Sequence, residues 1–167
     1  MSGEPPYVLD ANVFIEAARR YYAFDLAPAF WKSLVHYAAV GRVKSIDRVQ
    51  QELERGNDDL AQWVKKGNFG SAFASTDDSS VIQAYSEIIS WVQHQAQFLE
   101  AAKSSFADSA DGWLVAYAKA QGGIVVTQEV LQSDARSRVK IPNVCQAFGV
   151  SFVGTFEVLR SLNIRFS

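Results

Sequence analysis

The run Tyr7-Val8-Leu9-Asp10-Ala11-Asn12 passes from three apolar residues to an acid and then, two positions on, to an amide. Val13-Phe14-Ile15-Glu16-Ala17-Ala18 follows at once and reads as a helix. A buried strand feeding straight into a helix starts a β-α unit. In open α/β sheets the carboxyl ends of the strands are where ligands bind. Asp10 stands at such an end, and a charged group there cannot be hidden among apolar neighbours without cost.

The same alternation continues outward. The first helix is expected over Asn12 to Arg20, followed by the aromatic connector Tyr21-Tyr22-Ala23-Phe24-Asp25-Leu26. Pro28 opens a second helix, with Phe30, Trp31, Leu34, Val35 and Ala38 at helical spacing. Arg42-Val43-Lys44 reads as a short strand, and Ser45 as the cap of a helix that buries Ile46, Val49 and Leu53. Asp58-Asp59 opens a further helix, the Gly- and Ser-rich stretch from Gly67 to Ser80 reads as a loop, and Val81 to Val92 is amphipathic. Near the end come a helix over Ser109 to Ala118, the β-branched strand Ile124-Val125-Val126-Thr127, a basic loop to Pro142, and the strand Val150-Ser151-Phe152-Val153. Thr155 is expected to cap the closing helix. Strands alternating with helices imply an α/β fold whose largely parallel sheet is covered on both faces.

A chain of 167 residues with 49% hydrophobic content supports its own core and reads as one domain over 1–167. Met1-Ser2-Gly3-Glu4-Pro5-Pro6 lacks the pattern of a secretory leader, no apolar run spans a bilayer, and Cys145 is the lone cysteine. These features predict a cytoplasmic protein with no membrane partner. Net charge is −2. That mildly disfavours a polyanionic partner, unless several acids are committed to a metal ion.

Four acids carry the functional argument. Asp10 and Glu129 end strands, Asp111 opens a helix, and Glu52 is expected to face inward just before buried Leu53. They lie far apart in sequence, so only folding can assemble them. Gathered carboxylates repel one another, and a cation relieves the repulsion. Oxygen donors without Cys or His clusters select a hard ion, Mg²⁺ or Mn²⁺. Such an ion activates water against a phosphodiester.

Leu9-Asp10-Ala11-Asn12, the acid of Val49-Gln50-Gln51-Glu52-Leu53, the run Asp111-Gly112-Trp113-Leu114-Val115-Ala116-Tyr117-Ala118, and Val125-Val126-Thr127-Gln128-Glu129 occur in the order seen in PIN domains. The chain resembles bacterial and archaeal PIN proteins related to VapC-type toxins, over about residues 7 to 160. The resemblance implies a three-layer α/β/α sandwich around a mostly parallel sheet of about five strands. It also implies a metal-dependent endoribonuclease, the toxin of a toxin–antitoxin pair, whose partners are RNA, an antitoxin protein and a second copy in a homodimer. By the same resemblance Asp10, Asp111 and Glu129 hold Mg²⁺ or Mn²⁺, Glu52 orients water, Asn12 steadies the first acid, and Thr127 is a supporting residue of the site. Gln128-Glu129 departs from the Asn-Asp common in the family, and the span between Glu52 and Asp111 carries extra helical material.

Other readings compete. Asp10 and Asn12 are good helix caps. Glu52 could pair with Arg48 or Arg55, and Asp108-Ser109-Ala110-Asp111 has capping-box spacing, so Asp108 is either a cap or a supporting acid of the site. Arg136, Arg138 and Lys140 alternate along an extended loop and, with Arg19 and Arg20, are the candidate RNA-binding residues. Two further functions stay open: a catalytically inactive interaction module, and a phosphohydrolase acting on small esters.

Overall fold

The computed structural model describes residues 4–165. Met1-Ser2-Gly3 of the leader reading and the two ends of the 1–167 domain lie outside the described residues. Five parallel strands form the sheet: β1 (Tyr7–Leu9), β2 (Val43–Ile46), β3 (Phe73–Ala74), β4 (Ile124–Val126) and β5 (Phe152–Val153), in the order β3-β2-β1-β4-β5. β1 is central, pairing Tyr7 with Val43 on one side and Leu9 with Val126 on the other. Its three residues are buried, as a strand covered on both faces requires.

The helices complete three layers: α1 (Ala11–Glu16), α2 (Pro28–Ala39), α3 (Asp47–Glu54), α4 (Asp59–Lys65), α5 (Ser79–Gln93), α6 (Glu100–Ala107), α7 (Asp111–Gln121), α8 (Ile141–Phe148) and α9 (Thr155–Ser161). Leu9, Val43 and Val126 project from one face of the sheet toward Leu34 of α2 and Val158 of α9. From the other face α7 packs on β2 and β4, with α5 and α8 against it. The crossover from α7 into β4 is tight. A Cβ on Gly123 would stand 2.8 Å from Val8 Cγ2 and 3.2 Å from the Pro6 carbonyl. None of the described helices is long and apolar enough to cross a membrane.

Several local expectations are corrected. The stretch from Gly67 to Ser80, read as loop, contains edge strand β3, held by Phe73 packing on Phe14 and Phe69 at ring distances of 5.8 and 4.7 Å. Ser45 is a strand residue and not a cap; its buried hydroxyl donates to the Leu9 carbonyl at 2.6 Å, tying β2 to β1. The first helix leaves α geometry at Ala17, and Ala17–Tyr21 forms a π-helical turn. Gly154, not Thr155, occupies the cap position of α9.

Candidate active site

β1 delivers Asp10 to the carboxyl edge of the sheet in extended backbone, its N–H donating to the Val126 carbonyl at 3.0 Å. The residue takes the N-cap position of α1, yet its full side-chain hydrogen bond comes from across the sheet. Thr127, buried at the end of β4, donates through Oγ1 to Asp10 Oδ2 at 3.1 Å, and Thr127 Oγ1 in turn accepts the Glu129 N–H at 3.1 Å. Thr127 thus fixes the acid's rotamer. Asn12 contributes through its backbone N–H, which favours the ionised form of Asp10.

Asp111 enters at the first turn of α7. The capping-box reading of this corner is corrected: Ala110 is the N-cap, Asp108 is the C-cap of α6, and Ser109 Oγ accepts the Asp111 N–H at 3.2 Å. The approach of α7 is close. A Cβ on Gly112 would lie 3.0 Å from the Phe106 ring and 3.1 Å from that of Tyr85.

Asp10, Asn12, Glu52, Asp111 and Arg138 line one cleft of about 530 Å³, with Ser105 and Ser109 on its rim. Glu52 faces solvent at the mouth instead of pointing inward, because α3 buries Val49 and Leu53 on its other side. It makes no ion pair with Arg48 or Arg55 among the described residues. Burial of its carboxyl still raises its pKa, and Arg55 opposes the rise.

The electrostatics are those of crowded acids. Burial first, then the charge of Glu129, raises Asp10 from 3.8 to about 6. Burial, then Asp10, Glu129 and Glu52, raise Asp111 from 3.8 to about 8, with Arg138 pulling weakly the other way. The crowding favours the protonated form of both acids, so the cleft holds on to protons that isolated carboxylates would lose. Repulsion of this kind is what a divalent cation removes.

Glu129 stands differently from the expectation. Its carboxylate accepts the Ile141 N–H at the start of α8 at 2.8 Å and ion-pairs with Arg138. It lines a neighbouring, more apolar groove with Tyr21 and Phe156 and acts on the cleft through its charge. Among the described residues no group of three or more His, Cys, Asp or Glu side chains stands in metal-ligating arrangement. The donor chemistry nevertheless fits Mg²⁺ or Mn²⁺, since such ions are commonly held by one or two carboxylates and keep several waters.

Of the five basic residues nominated from the sequence, Arg138 alone lines the cleft among the described residues. Arg19 pairs with Asp58 at 3.5 Å and Arg20 with Glu16 at 3.2 Å on the π-helical turn. Arg136 is exposed in the loop, and Lys140 takes the N-cap position of α8. Two arginines weighed only as partners of Glu52 are placed beside the cleft. Arg48 and Arg55 line a second, polar cavity that shares Glu52, Ser105 and Ser109 with it. Their spacing of seven residues on one helix face was the signal available for pairing them.

The family described as a domain of unknown function (DUF4411) matches residues 7–166 of the chain. No curated protein and no solved structure matches it.

Proposed function

The chain belongs to the DUF4411 family, and we propose that it is a metal-dependent endoribonuclease whose cleft holds Mg²⁺ or Mn²⁺. One observation carries this reading. Three acids from β1, α3 and α7 line a single cleft at the carboxyl edge of a parallel sheet, with Asp10 buried, Asp111 half-buried and both crowded enough to bind protons tightly. A divalent ion bound there would lower the pKa of a coordinated water and neutralise the attacked phosphate. Asp10 and Asp111 are the residues to hold it, with Thr127 keeping Asp10 in its rotamer. Glu52, at the solvent mouth, would orient the attacking water and take its proton. Arg138 lines the same cleft while its guanidinium pairs with Glu129, and its remaining donors would meet a phosphate oxygen.

RNA as the substrate, and the roles of toxin, antitoxin partner and homodimer, rest on the resemblance to PIN proteins. The test of the chemistry is direct. Single-stranded RNA should be cut in Mn²⁺ or Mg²⁺, and cutting should be lost with EDTA and in Asp10→Asn and Asp111→Asn. Activity persisting in both variants with EDTA present would end the reading.

Engagement of Glu129 by Arg138 and Ile141 favours a second reading, a catalytically silent interaction module, because it takes one expected ligand out of the cleft. Folded protein that neither binds Mn²⁺ nor cuts RNA would favour it.

A further inference from the structure

The second cavity, of about 250 Å³, opens from the acidic cleft between α3 and the junction of α6 with α7. It is smaller than the roughly 300–1,000 Å³ of sites for drug-sized ligands. It shares Glu52, Ser105 and Ser109 with the cleft and so adjoins it directly. Arg48 and Arg55 line this second cavity from α3, and the exposed Asp108 lines it from the junction of α6 with α7.

Arg48 is held in place. Its guanidinium lies over Trp113 at 4.0 Å from the ring centre, and Trp113 is stacked on its other face by Tyr85 at 3.7 Å and 6°. Arg48 Nε donates to Thr76 Oγ1 at 3.2 Å, and Thr76 is anchored to Asp47 through its N–H at 3.1 Å and its hydroxyl at 2.9 Å. With Nε and the guanidinium face so engaged, the terminal nitrogens of the fork make no ion pair among the described residues. A planar donor fork, held by these contacts and sharing a cavity with a carboxylate, fits a ligand with paired acceptors on one edge and paired donors on another. Guanine has that pattern: O6 and N7 accept on its major-groove edge, while N1–H and the N2 amino group donate. Adenine would turn its N6 amino donor toward the fork, and the pyrimidines lack the two-sided pattern.

We propose that this cavity is a nucleobase pocket that selects guanine in the nucleotide beside the one lying in the acidic cleft. Arg48 meets O6 and N7, Asp108 accepts N1–H and N2–H, and Arg55, at the C-terminal end of α3 and not so fixed, serves the sugar–phosphate backbone. The pocket gives the proposed nuclease its sequence preference and rests on that reading for its biological use.

Binding tests the pocket apart from turnover. An oligouridylate with one central guanosine is titrated in EDTA against the same strand carrying adenosine, cytidine or uridine there. Repulsion by the acids is common to all four strands. The guanosine strand should bind about tenfold tighter, and Asp108→Asn and Arg48→Gln should each abolish most of that ratio. Equal binding of the four strands overturns the proposal. So does a guanosine preference that survives both substitutions. Cleavage mapping in Mn²⁺ separates the two readings. Cuts with no guanosine preference refute the pocket and leave the nuclease, whereas selective binding without any cut supports the pocket and removes the nuclease.

Discussion

Replacing Asp111 by asparagine should stabilise the metal-free protein at and above neutral pH and remove most of its pH dependence there. The carboxyl of Asp111 rises from 3.8 to about 8 on folding. The fold thus binds this proton more tightly than the unfolded chain does. Stability is therefore greatest below about pH 4 and falls as pH climbs through the interval up to about 8. Each pH unit within that interval costs about 1.4 kcal/mol. From pH 5 to pH 8 the loss from Asp111 alone is on the order of 3 kcal/mol, less whatever water entering the cleft screens. Asparagine keeps the shape and carries no charge, so the variant lacks this slope. Urea unfolding in EDTA at pH 5, 6, 7 and 8 measures it, and the difference between the two proteins cancels titrations elsewhere. Parallel curves for wild type and Asp111→Asn would refute the claim that Asp111 is half-buried among like charges. Saturating Mn²⁺ should flatten the wild-type curve by the same logic.

Three further outcomes follow from specific contacts. Gly112→Ala should destabilise by about 1–3 kcal/mol through collision with Phe106 and Tyr85, despite a better helix propensity, and thermal unfolding reads it. Thr127→Val removes the hydroxyl that favours ionised Asp10, so the acid limb of the cleavage profile should move to higher pH; an unmoved limb would deny Thr127 that role. Arg138→Ala releases one partner of Glu129 and takes a positive charge from beside Asp111. Mn²⁺ should then bind about fivefold tighter, about 1 kcal/mol, by calorimetry.

The central strand and the order of its acids were legible because local rules govern them. Tyr7-Val8-Leu9 is an unbroken apolar run, and Asp10 follows it at the point where the sheet ends. Strand alternation likewise implied the parallel sheet. Edge strand β3 was not legible, since two residues inside a Gly- and Ser-rich run carry no period and are held by Phe14 of α1 and by Phe69 of the same run. Ser45 and Asp108 were misplaced for a related reason. Both are residue types that cap helix starts; Ser45 is claimed instead by the bond from β2 to β1, and Asp108 ends α6.

The state of Glu129 depends on a guanidinium nine residues later and on the first N–H of α8, a juxtaposition no spacing rule announces. The stack of Tyr85, Trp113 and Arg48 joins three helices, and nothing local marks Arg48 as more than a surface charge. Glu52 could be named as an acid of the site. Its place at the rim followed only from which face of α3 the core claimed.

Titration with Mn²⁺, read by calorimetry and by the paramagnetic signal of the free ion, most directly decides whether these acids form a metal centre. Wild-type protein should bind the ion with a dissociation constant at or below about 1 mM. Asp10→Asn and Asp111→Asn should lose that binding while keeping the circular dichroism of the fold. A folded wild-type protein that leaves millimolar Mn²⁺ unbound would contradict the nuclease at its root.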